Sequence, residues 1–157
     1  MIYAQESFKE FISSTRPLIR EHHWEVGIYQ DEIDLNIDED LYTTLDEAGK
    51  LRIYTWRDEK TLDWPLSMRG YSLFFVHSHP HYKDHLFASN DIVYVKPHFR
   101  HTGNTLKFFE WCEQQLVDEG VSVISYHMKE DKPFHTLMKD MLGYDHQEHI
   151  YTKYIGK

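Results

Sequence analysis

The sequence predicts a mixed α/β fold of the α+β kind, built as a single domain over residues 1–157. Apolar residues make up 41% of the chain and aromatic residues 15%, which is enough for a sizeable core. Strand-like segments follow one another directly in the first half, which favours antiparallel pairing. A strand–helix–strand unit over residues 87–126 favours a parallel crossover. We therefore expect a mixed, mostly antiparallel sheet with helices on both faces.

The N-terminal third is predicted to be largely helical. Apolar side chains recur at nearly helical spacing over residues 5–20. Pro17 is expected to end one helix near Thr15 and to begin another. A second helical pattern covers residues 38–48, and Gly49 is suited to cap its C-terminus.

The remaining strands and helices are predicted from the periodicity of apolar residues and from glycine and proline residues, which mark the turns. The histidine-rich segment 78–86 and the segments 57–63 and 96–103 are expected to be loops. The predicted strands are residues 51–57, 71–77, 87–95, 121–126 and 148–155, and the predicted helices are residues 104–119 and 133–142.

Charge and composition limit the classes of function. The net charge is −9, with lysine and arginine scattered singly, so nucleic acid is not an expected partner and a cationic or amine substrate is favoured. No run of 18 apolar residues occurs, so no membrane association is expected. The single cysteine, Cys112, permits no intrachain disulfide, which favours a cytoplasmic location.

The junction between the strand 87–95 and the following helix has the features of an anion site. The first amides of a helix have no internal partners, and the helix dipole is positive there. Gly103 lets a phosphate approach the backbone, while Lys96 and Arg100 add positive charge. An ordinary strand-to-helix turn is the alternative interpretation of the same residues.

The segment from Asp91 to Thr105, DIVYVKPHFRHTGNT, resembles the acetyl-CoA motif of the GNAT N-acetyltransferase superfamily. In that family a strand ending in V-x-P-x-x-R leads into an Arg/Gln-x-x-Gly-x-Gly/Ala loop. The resemblance implies a splayed central strand pair, acetyl-CoA as cosubstrate and a primary amine as acceptor in a ternary complex. The residues that it implies for binding acetyl-CoA are Tyr94, Val95, Arg100, His101, Thr102, Gly103, Asn104 and Thr105.

Two further segments, Leu45 to Ile53 and His81 to Asp84, look similar to small GNAT proteins encoded by tailed phages. A phage origin would place the protein in the host cytoplasm. GNAT proteins often dimerise, so the resemblance also implies that this protein can form a homodimer.

Two positions depart from the GNAT pattern. Thr105 occupies a motif position at which glycine or alanine is usual. Lys139 stands where many GNAT enzymes have a tyrosine that protonates the leaving thiolate. These departures support an alternative, in which a GNAT-fold protein binds a partner and catalyses nothing.

Histidines and tyrosines near the predicted strand ends are the candidates for proton transfer. We predict that His81 accepts the proton of the amine and that Tyr126 or His127 protonates the thiolate. The other candidates are His79, Glu130 and His135. A wall of the acceptor cleft is expected from His22, His23 and Trp24.

A metal site is the rival interpretation of the histidine-rich segment. His77, His79 and His81 share one face if the segment is extended, and three imidazoles can hold zinc with an open position. Pro80 disturbs that geometry, and no HExxH spacing occurs. We therefore expect no metal.

Overall fold

A computed structural model describes residues 1–61, 64–129 and 134–156 of the chain. None of the helices among them is long and apolar enough to cross a membrane. The strands are β1 (Ile2–Gln5), β2 (Leu51–Arg57), β3 (Met68–His79), β4 (Tyr82–Val95) and β5 (Val121–Ser125). The helices are α1 (Phe8–Val26), α2 (Glu39–Glu47), α3 (Trp64–Ser67), α4 (Gly103–Asp118) and α5 (Phe134–Thr136), which continues as a π-helical turn, Leu137–Met141.

The five strands form one sheet in the order β1-β2-β3-β4-β5. Strands β1 to β4 pair antiparallel, whereas β4 and β5 are parallel and are joined through α4. The mixed, mostly antiparallel sheet is therefore confirmed, as is the parallel strand–helix–strand unit.

Helices cover both faces of this sheet, as predicted. Apolar residues of α1 pack on one face with Leu51, Leu73 and Tyr94. On the other face, α4 and the segment after β5 enclose Phe74 and Val95. Each face of the sheet thus has its own core, and β4 contributes to both.

Helix α1 runs continuously through Pro17, so the predicted break is wrong. The helix begins at a capping box, in which Ser7 and Glu10 exchange hydrogen bonds. Buried residues lie on both sides of the proline, including Phe11 and Leu18. Packing of both halves on the same face of the sheet outweighs the loss of one helical hydrogen bond.

The predicted loop 78–86 is instead a hairpin of two long strands. Pro80 and His81 form a two-residue turn, with His79 paired to Tyr82. The rings of His77 and His79 lie 6.2 and 5.0 Å from the ring of Phe87 on the opposite strand. Cross-strand aromatic contacts of this kind stabilise a ribbon.

Two predictions about the chain ends are also wrong. The first strand, Ile2–Gln5, was not predicted, although it pairs with β2 along its whole length. The segment 148–155 alternates like a strand but pairs with none of the described strands. Its hydroxyl at Thr152 instead accepts a hydrogen bond from Tyr29. Alternation of apolar and polar residues alone does not produce a strand without a pairing partner. Part of the predicted 57–63 loop lies outside the described residues.

A buried ion pair joins the start of α1 to β2. The guanidinium of Arg57 donates to both carboxylate oxygens of Glu6, at 2.6 and 2.9 Å, and also to the Ser14 hydroxyl. Thr55 donates a further hydrogen bond to Glu6 at 2.7 Å. Because both charges are withdrawn from water, each depends on the other to offset its desolvation.

Glu6→Gln is expected to lower the free energy of unfolding by about 3–5 kcal/mol, because it leaves the Arg57 charge buried without its carboxylate. The matched control is Glu39→Gln, which breaks an exposed ion pair with Arg16 and should cost less than about 1 kcal/mol. Urea unfolding of both variants measures the difference. Equal small losses would show that the buried pair contributes no more than the exposed one.

Candidate functional site

The parallel pair β4–β5 opens partway along its length. Pairing runs from Leu86↔Val121 to Ser89↔Ser125 and then ends, while β4 continues to Val95. At the point of separation the N–H of His127 donates to the side-chain oxygen of Asn90, which is buried. A side chain thus takes the place of the next backbone acceptor, and a gap opens between the two strands.

A β-bulge lies on β4 at the same level. Leu73 pairs with Ile92 and Phe74 pairs with Asn90, so Asp91 is the extra residue on β4. The Asp91 carboxylate accepts a hydrogen bond from the Tyr42 hydroxyl. Burial raises the pKa of Asp91, and the hydrogen bond from Tyr42 partly opposes that shift.

The backbone of β4 offers polar groups to the gap. The N–H of Lys96 donates to the Arg69 carbonyl on β3 at 2.8 Å. Because hydrogen-bonded pairs alternate along an antiparallel ladder, Tyr94 also bonds to β3, while Val93 and Val95 point away from it. Tyr94 and Val95 are both among the residues predicted to bind acetyl-CoA; Val95 therefore directs its backbone groups to the β5 side of the strand, and Tyr94 lines the cavity.

A cavity of about 170 Å³ occupies this gap. Pockets for drug-sized ligands hold about 300–1,000 Å³, so this cavity suits the end of an extended arm. It is lined by His22, Glu25, Val26, Asn90, Asp91, Ile92, Val93, Tyr94, Arg100, His127, Met128, Lys129 and Phe134.

The loop after β4 leads directly into the N-terminus of α4. After the short turn Pro97–Phe99, the helix begins at Gly103, so the amides of Gly103 and Asn104 have no intrahelical partner. A side chain at Gly103 would meet no atom within 4 Å. The hydroxyl of Thr105 donates to the Phe99 carbonyl, so it is turned toward the preceding turn.

The side chain of Arg100 crosses from this loop to α1. Its Nε donates to the Val95 carbonyl at 2.6 Å, and its two terminal nitrogens donate to the carboxylate of Glu25, each at 2.6 Å. The guanidinium also lies over the rings of Tyr94 and Phe134. Arg100 therefore ties the last turn of α1 to the strand end, rather than extending toward the helix N-terminus.

The predicted proton-transfer residues are dispersed. His127 lines the cavity with an exposed side chain. Tyr126 is packed against Phe74 and Phe109 on the α4 side of the sheet, where burial raises the pKa of its hydroxyl well above 10. Glu130 lies outside the described residues, as does the side chain of His135.

His81 is far from the gap, which corrects its assignment as the base. It occupies the turn before β4, nine residues from Asn90. At about 3.3 Å per residue, that separation is on the order of 30 Å. His79 shares the hairpin end, and its ring lies 5.5 Å from that of His81. Neither side chain reaches the cavity.

The histidines of α1 divide between two cavities. His22 lines the gap, whereas His23 and Trp24 line an open groove between α1 and the following loop. The predicted cleft wall is therefore split between two sides of the helix. Among the described residues, no group of three or more His, Cys, Asp or Glu side chains is arranged to hold a metal ion, and this includes the hairpin histidines.

Most of the cavity residues were not predicted from the sequence, and the three that matter most to its chemistry are Glu25, Asn90 and Asp91. A signal existed for two of them. Ser89-Asn90-Asp91 places consecutive polar residues inside an otherwise apolar strand, which is typical of a bulge or a broken pairing. Glu25 carried no local signal, because its role arises from a contact with Arg100, 75 residues away.

The fold is shared with solved acetyltransferase structures. A ribosomal-protein-alanine N-acetyltransferase from Brucella melitensis biovar Abortus 2308 matches with a TM-score of 0.68 at 11% identity, over 98% of this chain and 99% of that chain. An aminoglycoside acetyltransferase from an uncultured soil metagenomic sample matches with a TM-score of 0.67 at 12% identity, over 98% and 95%. An acetyltransferase of Trypanosoma brucei matches with a TM-score of 0.67 at 10% identity, over 98% and 100%.

No protein-family model and no curated protein matches the sequence. At identities this low the structural matches show the fold alone. The chain thus shares the fold of these solved acetyltransferase structures.

The pH dependence of stability is expected to report on His22. Burial, as the largest cause, lowers the pKa of His22 from 6.5 to about 4. The unfolded chain therefore binds a proton that the folded chain does not, so stability present above about pH 6.5 should fall by about 3 kcal/mol as the pH approaches 4. The charged groups that act on His22 are Glu25, which raises its pKa, and Arg100, His23 and Lys129, which lower it.

Urea unfolding of the wild type and of His22→Phe, each at neutral and at mildly acidic pH, isolates this contribution, since other titrations cancel in the difference. The exposed His77→Phe is the control and should keep the wild-type pH dependence. An identical pH dependence in His22→Phe and the wild type would contradict the burial of a neutral imidazole.

Proposed function

We propose that this protein is an N-acetyltransferase that moves the acetyl group of acetyl-CoA to a primary amine by direct attack in a ternary complex. The observation that carries the proposal is the gap between β4 and β5, which opens beside the N-terminus of α4. The gap contains a cavity, a stretch of β4 that pairs with no described strand on this side, and ionisable side chains. An extended acyl arm and its phosphates require these same features.

The helix N-terminus supports the cofactor part of the proposal. The pyrophosphate of acetyl-CoA would accept from the amides of Gly103 and Asn104, with the remaining loop residues His101, Thr102 and Thr105 around it. From there the arm would extend along β4, where Val93 and Val95 present backbone groups to the gap. Arg100 contributes by holding the strand end and α1 together, since its guanidinium is committed to Glu25 and Val95.

The acetyl carbonyl would then lie against the N–H of Val95. Attack by the amine nitrogen on the carbonyl carbon forms the C–N bond, and the developing oxyanion is stabilised by that N–H. The C–S bond breaks, and the sulfur receives a proton. His127 is the cavity residue that we assign to this last transfer, since Tyr126 is packed away from the cavity.

The base that we assign is Asp91. It lies in the cavity wall at the bulge, and its raised pKa brings a carboxylate closer to working pH. Tyr42 orients it through the hydrogen bond from its hydroxyl. Asp91 also gives the acceptor side a carboxylate, which suits a cationic amine, whereas the Glu25 carboxylate is paired with Arg100. The structural neighbours include a ribosomal-protein-alanine N-acetyltransferase and an aminoglycoside acetyltransferase, so peptide and small-molecule amines are both suitable test substrates.

Calorimetric titration with acetyl-CoA, followed by measurement of thiol release with a panel of amines, tests the function. Acetyl-CoA binding with amine-dependent thiol release is the expected result. Binding without release for any amine would favour the non-catalytic alternative, for which Lys139 in place of the usual tyrosine is the supporting feature. The absence of binding would contradict the proposal.

Gly103→Asp is expected to weaken acetyl-CoA binding at least tenfold, or about 1.4 kcal/mol, because it places a negative charge at the helix N-terminus. The free protein has room for a side chain there, so folding should be preserved. Gly103→Ala is the matched control and adds bulk without charge. Calorimetry that finds wild-type affinity in a folded Gly103→Asp variant would exclude this loop as the phosphate site.

Asp91→Asn is expected to lower turnover about 10²-fold, the scale of one acid–base group, while acetyl-CoA affinity stays close to wild type. His81→Ala is the control, because the hairpin turn is remote from the gap and its loss should leave turnover unchanged. Steady-state kinetics on any accepted amine distinguishes the two. A large loss in His81→Ala with full activity in Asp91→Asn would reverse the assignment.

A further inference from the structure

A buried histidine enters the gap from α1. The Nδ1 atom of His22 lies 2.9 Å from the hydroxyl oxygen of Tyr71, and its ring packs 4.8 Å from the ring of Tyr94. Only 6% of His22 is exposed, yet it lines the same cavity as Asp91. An imidazole that is hydrogen-bonded and packed against an aromatic ring in this way is held in one orientation.

The partner of Nδ1 decides which nitrogen carries the proton. Tyr71 is fully buried, and among the described residues His22 is the hydrogen-bond partner of its hydroxyl. If His22 donated to that oxygen, the Tyr71 O–H would be left without an acceptor, which costs about 1–3 kcal/mol. If Tyr71 donates to Nδ1, both groups are satisfied. The proton of a neutral His22 then lies on Nε2.

We propose that His22 serves as a neutral hydrogen-bond donor, whose Nε2–H binds the acetyl carbonyl oxygen from the α1 side of the gap, while the Val95 N–H binds it from β4. This proposal rests on the proposed acetyl transfer and adds a second group to the oxyanion site. Tyr71 is the positioning residue, because it fixes the tautomer without contact to the substrate.

The role requires an imidazole that neither gains nor loses a proton during the reaction. As the amine attacks, the carbonyl becomes an oxyanion and its hydrogen bonds strengthen. When the C–S bond breaks, the carbonyl reforms and His22 retains its proton. Burial lowers the pKa of His22 to about 4, so the ring stays neutral at working pH. The charged groups around it are Glu25, Arg100, His23 and Lys129.

Nuclear magnetic resonance of the ¹⁵N-labelled wild-type protein tests the donor directly. The expected result is the Nε2–H tautomer of His22, with no titration near about pH 6.5, where an ordinary histidine titrates. Addition of acetyl-CoA should shift the Nε2–H resonance, and Tyr71→Phe should lose the preference for one tautomer. An Nδ1–H tautomer in the wild type, or an Nε2–H resonance unmoved by bound acetyl-CoA, would overturn the proposal.

Kinetics with paired substitutions provides the second test. His22→Phe fills the same space without a donor and is expected to lower kcat about 10²-fold, with little change in KM for acetyl-CoA. His22→Gln keeps a neutral N–H donor and should recover most of that loss with the wild-type pH–rate profile. His23→Phe, in the neighbouring groove, is the control and should keep wild-type kcat. A Gln variant as impaired as the Phe variant would overturn the donor role.

These outcomes separate two kinds of failure. A wild-type protein that does not bind acetyl-CoA contradicts the proposed function, and the His22 proposal is then also wrong. A wild-type protein that binds acetyl-CoA and acetylates amines, but shows a titrating His22 or no rescue by Gln, contradicts only the His22 proposal.

Discussion

The hydrogen bond from the His127 amide to the Asn90 side chain marks the point at which β4 and β5 separate. Up to Ser89 the parallel strands satisfy each other's backbone groups, and beyond that point β4 pairs with no described strand on that side, where Arg100 donates to the Val95 carbonyl. Unpaired strand groups are costly when they are buried without a partner. A ligand that runs along the strand would satisfy them. The cavity and the separation of Val95 from β5 both follow from this one interruption.

Helix α1 braces the gap from one face of the sheet. On the α1 side, the last turns of the helix reach the gap through two contacts, His22 to Tyr71 and Glu25 to Arg100. The second contact joins that helix to the loop preceding α4. The geometry of the gap therefore depends on groups distant in sequence, in particular on the continuous course of α1 through Pro17.

Local signals in the sequence predicted local structure well. Pro97 and Gly103 mark the loop and helix start that form the proposed anion site, and both strands of the parallel unit were predicted. What depends on long-range contact was not predictable. The two-residue turn at Pro80 and His81 makes the histidine-rich segment part of the β3–β4 hairpin. His81 therefore lies far from the gap. The bulge at Asp91 and the contact of Glu25 become visible only when distant elements are brought together. The polar run Ser89–Asp91 was the one overlooked sequence signal.

A crystal structure of the protein with acetyl-CoA tests the central claim most directly. The account predicts the acetyl thioester between β4 and β5, with its carbonyl oxygen at the Val95 amide and the pyrophosphate on the amides of Gly103 and Asn104. Acetyl-CoA bound elsewhere, for example in the groove lined by His23 and Trp24, with the β4–β5 gap free of ligand, would contradict it.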